Sequence, residues 1–224
     1  MMKCDVIIPA RGGSKGIPNK NLQKMGGGTL IERAINTAKA SKYTDMVYVS
    51  TNDKDIFDLA YERGADPIWR PENLSLDTSK SEEALYHTIT RTSDYGAQYI
   101  CFMQCTSPFT KPEDIDRGME IMEATGADCL FTAVSFHSFI WKYDEQDHSQ
   151  LRGINHHHSV RLRRQDRQKE YLETGNFYIF KKNGFLKHRH RFFGKIEILE
   201  IPKSRAMEID TEEDLIIANA SEAL

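Results

Sequence analysis

The sequence predicts an α/β protein built on a doubly wound, mostly parallel sheet. Three observations lead there. Short apolar runs alternate with segments of helical periodicity through residues 4–134. The runs carry residues suited to buried strands, and each stops at polar or turn residues, as strands covered on both faces do. The resulting βαβα order belongs to parallel sheets wrapped by helices, in which ligands bind outside the carboxyl ends of the strands. A chain of 224 residues has room for one well-buried domain of this kind, 1–224, and stops short of two.

Strands are expected at 4–9, 46–50, 99–104 and 129–134, and helices at 30–41, 54–63, 81–93 and 112–124, where apolar residues recur at i, i+3 and i+4. Pro112 suits the first turn of its helix, because the N–H it lacks would be unpaired there. The alternation breaks over 135–171, which is polar, irregular and too long for a simple connection. Phe139, Ile140, Trp141, Leu151, Ile154, Val160 and Leu162 recur through it, the composition of an arm that packs on something. A strand at 176–182, a helix at 183–193, a strand at 195–202 and a terminal helix at 214–224 complete the chain, the last capped by Thr211 and Asp214.

Lys and Arg number 30 against 33 Asp and Glu, a net charge of -3, so nothing in bulk attracts nucleic acid or an anionic membrane. A polyanion must meet a local cluster of cations. No apolar run approaches the roughly 20 residues of a membrane span, and the N-terminus opens on a strand-like run unlike a signal peptide; a cytoplasmic protein is expected. Cys4, Cys101, Cys105 and Cys129 sit in or beside apolar segments, as reduced core thiols do, and Cys101/Cys105 lack the spacing of a zinc or redox pair. His156, His157 and His158 are consecutive and alternate sides in a strand, so a polar loop is a better reading than a zinc site with His148. "KHRHRFF" from Lys187 reads as a solvated basic face and not as an RNA-binding one.

The local cluster follows the first strand, in "IIPARGGSKGIPNKN", residues 7–21. Gly12, Gly13 and Ser14 let the backbone turn tightly with its N–H groups outward, and Arg11, Lys15 and Lys20 add cations around that concavity. A polyphosphate fits such a loop. It is neither a Walker A loop nor G-x-G-x-x-G.

This stretch resembles the nucleotide signature of the acylneuraminate cytidylyltransferases, or CMP-sialic acid synthetases. "WRPENLSLDTSKS" from Trp69, "MQCTSPF" from Met103, "RRQD" from Arg163, "ETGNFYIF" from Glu173 and "EIDTEEDL" from Glu208 follow in the same order and cover nearly the whole chain. The resemblance implies a Rossmann-like nucleotidyltransferase fold with 135–171 as an inserted dimerisation arm, and a homodimer in which the partner completes the sugar pocket. It implies CTP and a nonulosonic acid as substrates and Mg²⁺ as cofactor. Kdo cytidylyltransferases rank second, since their loop usually has Arg where this one has Lys15.

Carried over residue by residue, the resemblance places Arg11, Ser14, Lys15 and Lys20 around the triphosphate and Asn21 near the nucleotide. Arg11 and Lys20, with Asp210, are the implied catalytic residues, since charge grows on the departing pyrophosphate. Arg70, Ser81 and Gln104 fall at the cytosine or ribose. Gln104, Lys142, Arg164, Gln165, Thr174 and Tyr178 are implied for the sugar, and an arginine fork suits its carboxylate. Cys105 replaces the proline of the family's Q-P-T-S-P, which loosens that loop without removing a polar contact.

Glu208 and Asp210 lie two apart, so an extended segment puts both carboxylates on one face, able to share a hard cation with phosphate oxygens and water. Acids that only complement a helix dipole would sit later, as Glu212 and Glu213 do. The family usually has Asp at both positions, and Glu208 is one methylene longer. Ahead of Gly175, where sialic acid synthetases typically have asparagine, stands Thr174. A shorter side chain with a methyl group implies a sugar altered at C5 or C7–C9, such as legionaminic acid, its epimer or the deaminated sugar KDN, over N-acetylneuraminic acid, unless Glu173 or Asn176 compensates. Rival classes are a transferase of the same fold using another NTP, a nucleotide sensor that releases no pyrophosphate, and an oxidoreductase, which would need the missing G-x-G-x-x-G.

Overall fold

The structure, a computed structural model, describes residues 2–92 and 97–222. Strand β1 (Cys4–Pro9) leads through the glycine loop to a small hairpin, β2 (Lys24–Met25) and β3 (Gly28–Thr29), then α1 (Leu30–Ala40), β4 (Thr44–Thr51), α2 (Lys54–Glu62) and β5 (Asp66–Trp69). Next come α3 (Ser81–Arg91), β6 (Tyr99–Met103), α4 (Pro112–Thr125) and β7 (Cys129–Phe136). A second hairpin, β8 (Trp141–Tyr143) and β9 (Leu151–Gly153), precedes β10 (Glu170–Lys181), α5 (Lys182–His188), β11 (Ile196–Glu200) and α6 (Glu212–Glu222).

Seven strands form one sheet in the order β11-β7-β10-β6-β1-β4-β5. Only β10 runs antiparallel to its neighbours, β6 and β7. The sheet is therefore mostly parallel, as expected. From β1 the chain moves to β4 and β5 on one side and later returns to β6 on the other, so the order reverses beside β1. A crevice between the carboxyl ends of β1 and β6 follows from that reversal.

Alternation within the buried strands feeds two apolar layers. Val6, Ile8, Val49, Cys101 and Met103 pack with residues of α1 and α4, while Ile7, Tyr48, Ile100 and Phe102 pack with Leu85 and Ile89 of α3 and Phe185 of α5. Ile7 is fully buried, and its truncation to alanine would cost about 2–5 kcal/mol. Local signals agree with the elements: Thr29 and Glu32 form a capping box on α1, Asp53 caps α2, and Thr211 and Asp214 bond reciprocally at the start of α6. All four cysteines are buried free thiols. Among the described residues no helix is long and apolar enough to cross a membrane.

Several expected boundaries shift for physical reasons. Expected helix 81–93 ends at Arg91, with Ser93 outside the described residues, and the terminal helix starts at Glu212, with Ala223 and Leu224 outside them. The helix expected over 183–193 stops at His188, because Arg189 turns left-handed at φ 56°. Both ends of the irregular stretch 135–171 are strand, since Phe136 pairs with Glu170 and Ser135 with Tyr171. Edge strand β5 was missed: "DPIW" is four residues long and contains proline.

Candidate active site

The loop after β1 is held from several sides. Gly12 N–H donates to Asn52 Oδ1 at 3.1 Å, and the buried Asn21 donates from Nδ2 to the Arg11 carbonyl at 3.0 Å. Gly13 has φ +69°, and a Cβ on Gly16 would collide with the Asp210 carbonyl. Glycine is required at the first by backbone conformation and at the second by contact with the segment before α6.

This loop forms one wall of a cleft of about 410 Å³ that also receives the ends of β1 and β6. Arg11, Ser14, Lys15, Lys20, Asn21, Arg70, Ser81 and Gln104 all line it, together with Asp210, Phe102 and Cys105. Arg11 and Asp210, 199 positions apart in sequence, thus converge. Lys20 Nζ lies 2.9 Å from Asp210 Oδ1. Arg11 Nη2 and Lys15 Nζ both engage Asp77, at 2.7 and 2.5 Å. Hydrogen bonds from Lys15 and then Arg11 hold the Asp77 carboxyl below its usual range. No spacing in the sequence marks Asp77; only the folded loop brings it over the cations.

Arg70 is 4% exposed and donates from Nε to Ser75 Oγ at 3.0 Å. Among the described residues no carboxylate pairs with it. Burial, and then the neighbouring Arg11, push its pKa down to about 10. A desolvated guanidinium beside a second one is a strong site for an acceptor or an anion.

Other expected residues lie differently. Thr174 is buried, and its Oγ1 donates to Thr132 Oγ1 at 2.9 Å, so the hydroxyl is engaged in the core and faces away from the cleft lining. Tyr178 is also buried, stacked on Phe102 with ring centroids 5.4 Å apart, and donates to Glu173 Oε1 at 2.6 Å. Burial and Glu173 push its phenol pKa upward. Lys142 pairs with Glu145 on the second hairpin. Arg164 and Gln165 line a separate hollow with Ser135, His137 and Lys169. Glu208 accepts from Gly175 N–H at 2.6 Å, so its carboxylate and that of Asp210 have different partners.

Arg191 corrects the reading of "KHRHRFF" as a wholly solvated face. Its side chain is 14% exposed, pairs with Glu82 at 2.8 Å, bonds Ser81 Oγ, and lies over the rings of Phe102 and Tyr178. The aromatic floor that shelters it is assembled from β6 and β10, which sequence spacing does not reveal.

Among the described residues no group of three or more His, Cys, Asp or Glu could hold a metal ion. Asp210, at the rim and beside Lys20, fits the other way of holding magnesium, by one or two carboxylates with substrate phosphates completing the shell.

The pattern of the cytidylyltransferase family matches residues 6–222. The chain belongs to this family. It is 32% identical over 217 residues to N-acylneuraminate cytidylyltransferase A of Danio rerio, an alignment covering 95% of this chain and 49% of that protein. It is 30% identical over 221 residues to pseudaminic acid cytidylyltransferase of Campylobacter jejuni, covering 97% and 95%. The chain spans about half the length of the N-acylneuraminate relatives it matches. Among solved structures, CMP:2-keto-3-deoxy-manno-octonic acid synthetase complexed with CTP matches with TM-score 0.72 at 15% identity, over 99% of this chain and 98% of that one. The 4-diphosphocytidyl-2C-methyl-D-erythritol synthase of Anaerococcus prevotii matches with TM-score 0.69 at 15% identity, over 100% and 99%. At such identities the likeness establishes the nucleotidyltransferase fold of this family member and nothing finer.

Proposed function

We propose that this cytidylyltransferase transfers CMP from CTP to a nine-carbon 2-keto-3-deoxy sugar acid of the sialic or pseudaminic acid kind, releasing pyrophosphate. The observation that carries the reading is the single cleft in which Arg11, Lys15, Lys20 and the desolvated Arg70 meet Asp210. The names of its relatives supply the sugar class.

In the proposed reaction the anomeric hydroxyl of the sugar gives up its proton to water and attacks the α-phosphorus in line, the bond to the bridging oxygen breaks, and pyrophosphate leaves with the electron pair. Arg11, Lys15 and Lys20 face the charge that develops there, which is where fixed cations lower the barrier most. A triphosphate outcompetes the single carboxylate of Asp77 for Arg11 and Lys15 because it carries more charge at the same cations. Arg70, kept free of carboxylates, reads the base or ribose. Asp210 would hold a magnesium ion carried by the phosphates, and such an ion supplies Lewis-acid neutralisation of phosphate charge.

The sugar pocket of the proposed enzyme is completed by a second copy. Trp141, Tyr143, Leu151, Ile154, Val160 and Leu162 stand exposed on the 137–169 segment, and Arg164 and Gln165 lie outside this chain's own cleft. The preference expected from Thr174 loses its basis, since that hydroxyl is bonded to Thr132.

Pyrophosphate release from each of the four NTPs, with a panel of nonulosonic acids and Kdo, tests the reading. CTP with a nine-carbon acid should exceed every other pairing by at least tenfold. Equal or better turnover with another NTP or with Kdo rejects it.

A further inference from the structure

Glu208 looks in sequence like half of a metal-binding pair, yet the structure gives its carboxylate another task. Strand β10 slips register against β7 between Glu173 and Tyr178, leaving Thr174 to Phe177 as a bulge. Backbone groups in a bulge lose their ladder partners and must be satisfied otherwise. Here the Thr132 hydroxyl bonds the carbonyls of Thr174 and Phe177. Glu208 Oε1 takes the Gly175 N–H at 2.6 Å, and Gln104 Nε2 donates to the Gly175 carbonyl at 3.0 Å. The bulge fits tightly between them: a Cβ on Gly175 would overlap Glu208 Oε1 and come within 2.6 Å of Gln104 Nε2.

This clasp also fixes which end of the Gln104 amide faces the cleft. The Gly175 carbonyl demands a donor, so the amide nitrogen turns toward it and Oε1 is left as an acceptor beside the cleft that Gln104 lines. An acceptor there suits a hydroxyl or amino group of the substrate and repels its phosphates and carboxylate.

We infer that Glu208 is a positioning residue that clasps the Gly175 bulge and thereby orients Gln104, and that Asp210 alone of the pair faces the phosphates. The inference rests on the proposed reaction only for its kinetic consequence. Side-chain length matters more than charge: a glutamine keeps the acceptor at the same reach, whereas aspartate is shorter by one carbon–carbon bond of ~1.5 Å and leaves the Gly175 N–H beyond bonding distance. A metal ligand would show the reverse order, since aspartate keeps the anion and glutamine does not.

The test compares wild type, E208Q, E208D and D210N in three measurements: kcat/KM for the sugar with CTP, Mn²⁺ binding in the presence of CTP followed by electron paramagnetic resonance, and exchange of the Gly175 amide hydrogen. The clasp predicts that E208Q retains kcat/KM within about threefold and E208D loses tenfold or more, as small misplacements of a substrate contact do. It predicts Mn²⁺ binding unchanged in both Glu208 variants and weakened in D210N, and Gly175 exchange accelerated at least tenfold in E208D only. An active E208D beside an inactive E208Q with weakened Mn²⁺ binding overturns it, as does Gly175 exchange that is equally fast in all four proteins. Should wild type release no pyrophosphate from CTP, the proposed reaction fails, while amide exchange still decides the clasp.

Discussion

The loop after β1 and the 137–169 segment are held in contrasting ways. Arg11 to Asn21 are tied to distant parts of the chain: Asn52 holds Gly12, Asp210 closes on Gly16 and Lys20, and Ile17 is 2% exposed. The later segment is tied mostly to itself, through Lys142 to Glu145, Arg163 to Asp166 and Ser159 to His157, and its larger apolar side chains face solvent. One region is closed by contacts within a single chain. The other, in the proposed enzyme, is finished by a second copy. Nucleotide binding should accordingly tolerate damage to the segment, and sugar turnover should not.

The largest expected effect falls on the finished side. In the proposed reaction Lys20→Ala removes a cation from the developing pyrophosphate charge, and it frees Asp210, so kcat should fall by about 10²–10³ with the melting temperature nearly unchanged. Stopped-flow pyrophosphate release at saturating CTP and sugar measures it. A fall confined to KM would mean that Lys20 binds the nucleotide without assisting the chemistry.

Placing charge on the other side, with Leu151→Asp and Ile154→Asp together, should give a monomer by sedimentation, lower kcat/KM for the sugar by about tenfold or more, and leave CTP affinity within about threefold. A variant that stays fully active as a monomer would break the comparison.

How far each region was legible in the sequence follows from the same contrast. The loop after β1 advertises itself, because glycines and cations lie within eleven consecutive residues and a strand leads into them. The α/β order was legible because buried strands and capped helices are local patterns. Asp77, Arg191 and the Glu208 clasp were not, since each depends on a partner brought near by folding: two cations for Asp77, an aromatic floor for Arg191, a bulge for Glu208. Thr174 lies in that same bulge, and its hydroxyl turns to Thr132. Its place in a sequence motif says nothing of which way a strand residue points once a bulge intervenes.

Thr174 offers a sharper, smaller test. Thr174→Val removes the shorter of the bonds that the buried Thr132 hydroxyl accepts, leaving the Phe177 N–H at 3.4 Å, and should cost about 0.5–1.5 kcal/mol of stability by denaturant unfolding, with the ranking of sugars unchanged. A reordered ranking would restore it to the sugar pocket.

The smallest effect concerns Asp77. Asp77→Asn releases Arg11 and Lys15, so CTP should bind a few-fold more tightly in calorimetric titration at pH 7. Hydrogen bonds from Lys15 and Arg11 hold its carboxyl below the usual carboxylate range, so the ionised pair persists through and above that range and is lost only as pH falls through the depressed value. The loop around Asp77 should thus exchange its amides at the same relative rate from pH 5 to 8. Loosening within that window would contradict the pairing.

Phosphorus NMR of the intact protein with CTP, Mg²⁺ and a nine-carbon 2-keto-3-deoxy sugar acid tests the central claim most directly. The account predicts a phosphodiester resonance of a CMP-sugar growing in step with pyrophosphate and abolished in D210A. Triphosphate resonances that persist unchanged across the sugar panel, or that decay to CDP and phosphate, would contradict it.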